Sequence, residues 1–563
     1  MDKIIKVMGE KMKKHIYALL FVSLAATLYA QEALKSTEEE YYDFLYLLGK
    51  VECPTLNYRT LSDNEWNLTE GTQHLWQNNN LGKTFNLYSQ NIENKNWFLN
   101  GLDLGLKAKI YGPQWFNSYN TASPYGQNDG ALWQGVGYNT SLTGGLRLEG
   151  YGFELTFKPQ LSFSQNAYFE IMPSAYSSEY GYYGVKSIDF PQRFGDSAFF
   201  TYDWGESEVR WSWYTFTLGL GTQNPWLGPA WLNPMLGSNN AAGFPKFDIG
   251  IRKTELYVPY YNWYLGAIEA RTWCGALQES DYFDSDLSND WRMLFGLNFS
   301  YAPSFIPNFT VGFNRILYTE WDIAKLSWWT RLVGLETINQ GWQDGTDNHE
   351  DQKVSLYCSW SIPSVGFEVY GEYGFDDFTS RRIENPFHTG IYTVGAKQII
   401  PLSHKKLSSE LIFEWNNFEM SQDFQLQWKY IGYYGHGQVA QGYTNRGQIL
   451  GAGSGQFGNS QYLQYKVYFP RGSASVYFHR YCPNNNYIYN MAVENVASYV
   501  NEDYYANYNT FMVLGFTSQY FLFKNFSLSA KFAYVHESSV NYQKDNSNNI
   551  NSFQIGFTAE YKF

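Results

Sequence analysis

Two stretches of the chain concentrate residue types that do chemistry and follow no alternating pattern. The first runs Thr222-Gln223-Asn224-Pro225-Trp226-Leu227-Gly228-Pro229-Ala230-Trp231. It continues through Asn233-Pro234-Met235 and Ser238-Asn239-Asn240-Ala241-Ala242-Gly243-Phe244-Pro245-Lys246-Phe247-Asp248 and ends at Ile249-Gly250-Ile251-Arg252. The second runs Tyr434-Gly435-His436, then Gln441-Gly442-Tyr443-Thr444-Asn445-Arg446-Gly447-Gln448-Ile449-Leu450-Gly451-Ala452. Aromatic faces stack on the C–H surfaces of sugars, and Asn, Gln, Asp and Arg side chains hydrogen-bond their hydroxyls. Trp226, Trp231, Asn233, Asn239, Asn240, Asp248 and Arg252 supply that mixture in the first stretch. His436, Gln441, Tyr443, Asn445 and Arg446 supply it in the second. The competing reading is structural: Pro- and Gly-rich backbone folds inward as a plug, and its Asn side chains satisfy backbone groups.

Other candidate chemistry is thinner. Asp376-Asp377 and the Glu368/Glu372 pair could serve as acid and base, but such carboxylates are common decoration of a polar lumen. His388, His479 and His536 stand alone, and there is no GxSxG elbow or HExxH helix. Cys53, Cys274, Cys358 and Cys482 are widely spaced, so neither a disulfide nor a metal site is indicated. The residues imply no enzyme and no cofactor. A formal net charge of −13 argues against nucleic acid, whose phosphates need clustered Lys and Arg.

The elements that must position these stretches alternate with period two. Trp291, Met293, Phe295, Leu297, Phe299 and Tyr301 oppose Arg292, Leu294, Gly296, Asn298 and Ser300. Phe367 and Val369 oppose Glu368 and Tyr370; Leu411, Phe413 and Trp415 oppose Ile412 and Glu414; Phe424, Leu426 and Trp428 oppose Gln425 and Gln427. The last segment sets Phe553, Ile555, Phe557, Ala559, Tyr561 and Phe563 against Gln554, Gly556, Thr558, Glu560 and Lys562. Aromatic residues are 20% of the 563, yet mean hydropathy is −0.42 and charged residues are only 17%. Apolar side chains facing lipid and polar ones facing a lumen produce this combination. A soluble sandwich or propeller has the same period, and a secreted glycan-processing β-protein has a similar aromatic content. Trp211 and Trp213 read as an interfacial girdle in preference to a sugar platform.

The N-terminus predicts export. Met12-Lys13-Lys14-His15 precedes the apolar run Ile16–Leu28, and Tyr29-Ala30 offers a cleavage point before Gln31-Glu32. A membrane-anchoring helix is the alternative, but the run is short against the roughly 20 apolar residues that spanning requires. We therefore expect a signal peptide over 1–30, with Met12 as a possible start. A short helical, periplasm-facing element is expected over 31–66. Its capping box is Thr37-Glu38-Glu39-Glu40, with a weaker signal at Ser62-Asp63-Asn64-Glu65. Residues 67–140 read as irregular with a few strands, and 67–563 as one antiparallel transmembrane β-barrel. At about 10 residues a strand plus loops, that is about 16 to 18 strands. Such a barrel would lie in the outer membrane of a diderm bacterium, in contact with its lipid.

The WLGPA, NP, SNNA and GFPKFDIG runs of the first stretch and the QGYTNRGQ and LGA runs of the second resemble the capsule-assembly outer-membrane family typified by Wzi. The Tyr41–Leu48 segment followed by Tyr58-Arg59-Thr60-Leu61-Ser62 is similar to that family's N-terminal region, with Thr60 where proline is expected. The terminal Phe563 on an alternating strand resembles the signal read by the barrel-insertion machinery. The family resemblance implies a monomeric barrel with a small periplasmic helical element. It also implies a non-catalytic lectin that holds exported capsular polysaccharide, or another surface polysaccharide, at the cell surface. The rival function for such a barrel is a porin or substrate-specific channel.

Overall fold

The computed structural model describes residues 36–62, 66–68, 71–89, 96–172, 178–182, 187–334, 349–376, 385–428, 431–489, 508–542 and 548–563. The expected signal peptide, Asp377, and residues 63–65 of the second capping signal lie outside the described residues.

The alternating segments form a closed antiparallel barrel of 18 strands. They are β1 (Leu106–Asn120), β2 (Gly137–Gly150), β3 (Phe153–Phe157 and Gln160–Ser164) and β4 (Phe199–Asp203 and Glu208–Trp213). There follow β5 (Phe216–Gly221), β6 (Lys246–Val258), β7 (Trp263–Gln278), β8 (Trp291–Pro303), β9 (Phe309–Glu320) and β10 (Glu350–Ile362). The remainder are β11 (Phe367–Asp376), β12 (Gly390–Ile400), β13 (Ser408–Asn417), β14 (Asn459–Phe469), β15 (Gly472–Cys482), β16 (Thr510–Phe523), β17 (Phe526–Ser538) and β18 (Ile550–Tyr561). Strand β2 pairs with both halves of β3, and those halves pair with the two halves of β4, so each counts as one interrupted strand. Closure runs from Gln554↔Asn120 to Glu560↔Gln114, which leaves no free edge. Asn80 reinforces the seam, its side-chain amide donating to the carbonyls of Lys562 and Phe563.

Alternation decides which way each side chain faces. Phe553, Ile555, Phe557 and Tyr561 are exposed on the outer surface while Ser552 and Gln554 are buried within. In water that apolar belt would drive aggregation, whereas in lipid it is the matching surface. Short connections such as Tyr151-Gly152, Pro470-Arg471 and Lys524-Asn525 lie at one end, and long ones such as 222–245 and 418–458 at the other. That asymmetry puts the short turns in the periplasm and the long loops outside. Trp211 and Trp213 share the outward face of β4 with exposed Val209, at the short-turn end. Trp213 stacks on Phe98 there and donates its indole N–H to the Phe98 carbonyl.

The N-terminal helix α1 (Thr37–Leu47) forms as expected, although its cap is Ser36, not Thr37: Ser36 Oγ accepts the Glu39 N–H at 3.1 Å. Tyr41, Tyr42, Phe44, Leu45 and Leu47 are buried against Trp76, Tyr468 and Phe521. Its acidic face meets inward lysines from three separated strands or strand ends, with Glu38 to Lys562, Glu40 to Lys466 and Asp43 to Lys397 all at 2.6 Å. The helix therefore closes the short-turn mouth. Residues 67–140, expected to be irregular with a few strands, contain the short strand Thr84–Tyr88, all of β1 and the start of β2.

One expected strand is overturned. Gln422–Gln427 is a helix, with Ser421 Oγ accepting the Phe424 N–H. Phe424, Leu426 and Trp428 repeat every second residue, but a run this short fits a helical turn as well, and the cap decides it. All four cysteines are free.

Candidate functional site

Pro225, Pro229, Pro234 and Pro245 lack the N–H that a sheet ladder needs, so 222–245 cannot continue the wall and turns inward. Trp226–Leu227 pairs instead with Tyr58–Arg59, so the N-terminal segment and this loop form a small sheet inside the barrel. Three inward carboxylates anchor it by accepting backbone N–H groups. Glu269 takes those of Leu56, Asn57 and Tyr58 at 2.8, 2.8 and 3.2 Å. Glu372 takes Ala230 and Met235 at 3.3 and 3.2 Å. Glu414 takes Trp231, Leu232 and Asn233, at 2.6 Å for the first, together with the Asn233 amide and the Tyr370 hydroxyl. Charge-assisted bonds of this kind are about twice as strong as neutral ones.

The second stretch locks onto the first. Tyr434 donates its hydroxyl to the Met235 carbonyl at 2.8 Å and accepts the Ala452 N–H, and Tyr443 donates to the Leu236 carbonyl at 2.8 Å. Asn445 Nδ2 donates to the Ala242 carbonyl while its Oδ1 accepts the Gln278 N–H. Leu227, Met235, Leu236, Phe244, Tyr433, Tyr434, Tyr443 and Leu450 pack with wall residues Trp273, Leu294, Ile316, Tyr318 and Ile391 into one core across the lumen. The two distinctive motifs together are the plug.

This placement sorts the candidate sugar contacts. Trp226 is 0% exposed, its indole N–H donating to the Ala230 carbonyl. Trp231, Asn233, Gln441, Tyr443 and Asn445 are buried within the plug's own hydrogen bonds. Asp248, 1% exposed, sits between Arg210 Nη2 at 2.6 Å and Arg271 Nη1 at 2.7 Å. As folded, these seven serve the lumen, and a sugar on the long-loop side could reach them only by displacing the plug, while Trp231 also borders a chamber at the short-turn end. Asn239, Asn240, Arg252, His436 and Arg446 are partly exposed. Asn239 lines a small cleft of about 50 Å³ with Lys158, Gln160 and Asp203, and Arg446 reaches Asp203 at 3.4 Å, so this pair is brought together. Arg252 is held apart, 3.9 Å from Glu154 toward the other end. His436 caps its own loop through Nδ1, and burial holds its imidazole below the usual range.

A cleft absent from the sequence reading opens at the long-loop end. Glu419, Met420, Gln422, Arg480, Asn485, Asn486, Tyr489 and Tyr508 line about 320 Å³. Glu419 accepts the Asn485 amide at 2.7 Å, and Arg480 donates to the amide oxygen of Gln461 at 3.2 Å. The Pro483-Asn484-Asn485-Asn486-Tyr487 run carries the same residue mixture as the two motifs and could have pointed here.

Among the described residues, three of the carboxylates considered as acid–base pairs are otherwise engaged. Glu372 holds the plug, Glu368 accepts the Ser361 hydroxyl at 2.8 Å, and Asp376 pairs with Lys353 at 2.9 Å. His388 bonds Asp423, His479 lies against Ser460 and Tyr125, and His536 against Asn551.

Glu279, just beyond β7, receives the Gln441 side-chain amide at 2.6 Å and ties the second stretch to the wall. Burial, with Asp284 and Asp189 adding to it, pushes its carboxyl up to about 8. A carboxyl raised in the folded state contributes stability fully present below its unfolded value of about 4.3 and lost as pH rises through about 8. Hydrogen-exchange protection factors of the 441–445 amides should therefore fall between about pH 4 and about pH 8, and Glu279→Gln should flatten that dependence. An unchanged pH profile in the variant would assign the latch elsewhere.

A family model described as capsule assembly protein Wzi matches residues 149–552. No curated protein matches the chain. Among solved structures the chain is similar in fold to Wzi of Escherichia coli, described as an outer-membrane protein involved in group 1 capsule assembly and a carbohydrate-binding β-barrel. The TM-score is 0.53 at 12% identity, over 80% of this chain and 85% of that one. Acinetobacter baumannii OccAB1 gives a TM-score of 0.36 at 12% identity, over 80% and 96% of the two chains. A BenF-like porin from Pseudomonas fluorescens gives 0.37 at 9%, over 83% and 100%.

Proposed function

The chain belongs to the capsule assembly protein Wzi family, and from that premise we propose that it binds and organises exported capsular or other surface polysaccharide at the cell surface, as a non-catalytic lectin. It resides in the outer membrane. The observation that carries the reading is a core of described residues that spans the lumen, with a polar, aromatic cleft on the long-loop side. A barrel meant to pass solute keeps a path, whereas a barrel meant to hold a polymer needs only a rigid frame for its loops. Tyr489 and Tyr508 offer sugar-stacking faces, and Glu419, Arg480, Asn485 and Asn486 offer donors and acceptors beside them. Asn239 and Arg446 form the part of the two motifs best placed to add contacts. The protein acts as a monomer, inserted through recognition of its terminal strand.

The test is single-channel recording of purified protein in a planar bilayer, with and without the organism's own surface polysaccharide, alongside a binding titration of the same material. We expect no steady conductance, together with binding that Arg480→Ala weakens by about tenfold, the equivalent of roughly 1.4 kcal/mol. Ohmic openings of porin size without polysaccharide binding would replace the lectin by a diffusion channel.

A further inference from the structure

The periplasmic mouth holds a chamber of about 630 Å³ between the N-terminal segment and the inner wall from β6 to β12, within the size range of small-molecule sites. Residues 53 to 59 cross it with bends at Pro54, Leu56 and Asn57, and Cys53, Thr55, Asn57 and Arg59 are among the residues that line the chamber. Thr55 and Asn57 are each 4% exposed, and neither Thr55 Oγ1 nor Asn57 Nδ2 has a hydrogen-bond partner. The segment cannot easily turn these atoms elsewhere, because Glu269 grips the backbone at Leu56, Asn57 and Tyr58. A buried amide donor and a buried hydroxyl thus belong to two residues of the chamber's lining with their bonding capacity unused. Polar groups in that position are normally satisfied by a partner.

The rest of the lining indicates what that partner is. Trp231 and Tyr264 contribute aromatic surface. The chamber's cations are committed: Arg59 to Glu39 at 3.0 Å, Lys397 to Asp43 and Glu368, and Lys253 to the Cys53 carbonyl at 2.9 Å. Glu52 and Glu255 remain as an acidic excess. Hydroxyl-seeking polar atoms, aromatic walls and surplus negative charge suit a polyhydroxyl ligand that is neutral or cationic, and they disfavour an anion.

We propose that this chamber is a second saccharide site, taking a short neutral or amino-bearing oligosaccharide segment and rejecting uronate or phosphate sugars. The inference rests on the reading of the protein as a polysaccharide binder, and adds a contact on the periplasmic side. Calorimetric titration of the full chain in detergent with maltotriose, a glucosamine trimer and trigalacturonate tests it. The first two should bind, with trigalacturonate at least tenfold weaker. Ser359→Trp fills the chamber from the wall, and Thr55→Val/Asn57→Leu removes the two polar atoms. Each should weaken binding at least tenfold while the barrel keeps its heat-shifted gel mobility. Surface polysaccharide retention by cells carrying Thr55→Val/Asn57→Leu should stay at the wild-type level. The proposal is overturned if no trimer binds, if trigalacturonate binds equally well, or if folded Ser359→Trp binds like the wild type. If wild-type cells retain no polysaccharide while trimer binding remains sensitive to Ser359→Trp, the surface lectin role fails and the chamber stands.

Discussion

Asp248→Ala should destabilise the barrel by about 3–5 kcal/mol, the cost of removing one partner from a buried ion-pair network. Asp248 accepts from Arg210 at 2.6 and 3.0 Å and from Arg271 at 2.7 Å, with Glu208 completing the cluster on Arg210 at 2.7 Å. Its loss takes the shared carboxylate from two fully buried guanidinium groups. Glu208 also takes the Ser62 hydroxyl at 2.8 Å, so damage should spread to the N-terminal segment. The urea midpoint of the protein in detergent, followed by heat-shifted gel mobility, measures the effect. Asp248→Asn keeps an acceptor and the shape, and should fall between wild type and alanine. If Asp248 were a sugar ligand and nothing more, alanine would weaken glycan binding and leave the midpoint in place.

The second large effect is expected at the plug. Glu414→Ala removes the acceptor for three consecutive backbone N–H groups, the Asn233 amide and the Tyr370 hydroxyl at once. Hydrogen bonds to a charged group contribute about 1.5–3 kcal/mol each, and they are not additive, so a loss of roughly 4 kcal/mol is a restrained expectation. That shift raises the population of the released plug about a thousandfold. In a planar bilayer the variant should show frequent openings, and Glu414→Ala/Glu372→Ala should stay open, since Glu372 holds Ala230 and Met235 of the same loop. The strand-to-strand ladders of the wall are not among these bonds, so the barrel should keep its heat-shifted mobility. A closed double variant with native mobility would show that the aromatic core around Tyr434 and Tyr443 holds the plug without the carboxylates.

Both expectations follow from one design. The lumen of a wide barrel is too large for wall side chains to fill, so a second chain layer must enter it and bring its backbone polar groups. Acidic side chains on the wall accept backbone N–H groups, and lysines on the wall meet the acidic face of α1. Burying so many charges contributes little net stability. It does fix where each plug segment sits, because a misplaced segment would leave a carboxylate or a run of amides unsatisfied.

Much of this was legible from residue order. Alternation over β8, β11, β13 and β18 identified strands and the faces they present, and the Glu-rich start before Tyr41 identified the helix, one residue out at its cap. The Phe424–Trp428 segment failed because three apolar residues at spacing two are too few to separate strand from helix, and the deciding contact is a single serine hydroxyl. The few strands expected over 67–140 could not be placed individually because β1 and β2 carry Gly, Asn and Ser or Thr on faces where an obvious pattern would need larger apolar residues.

What the sequence determined by itself was the architecture: period-two alternation is a local property, and a closed barrel in lipid is its stable outcome. What only the tertiary structure decided was the employment of the polar and aromatic residues in the two motifs. Trp231 and Asn233 look like sugar contacts until Glu414, some 180 residues later in the chain, is seen to hold them. Asp248 looks like a ligand until Arg210 and Arg271 close on it. The physical reason is that a sugar hydroxyl and a buried peptide group make the same demands, a donor or acceptor at hydrogen-bond distance and an apolar face nearby. Residue type cannot tell them apart, and only long-range contacts show which demand a given side chain has already met.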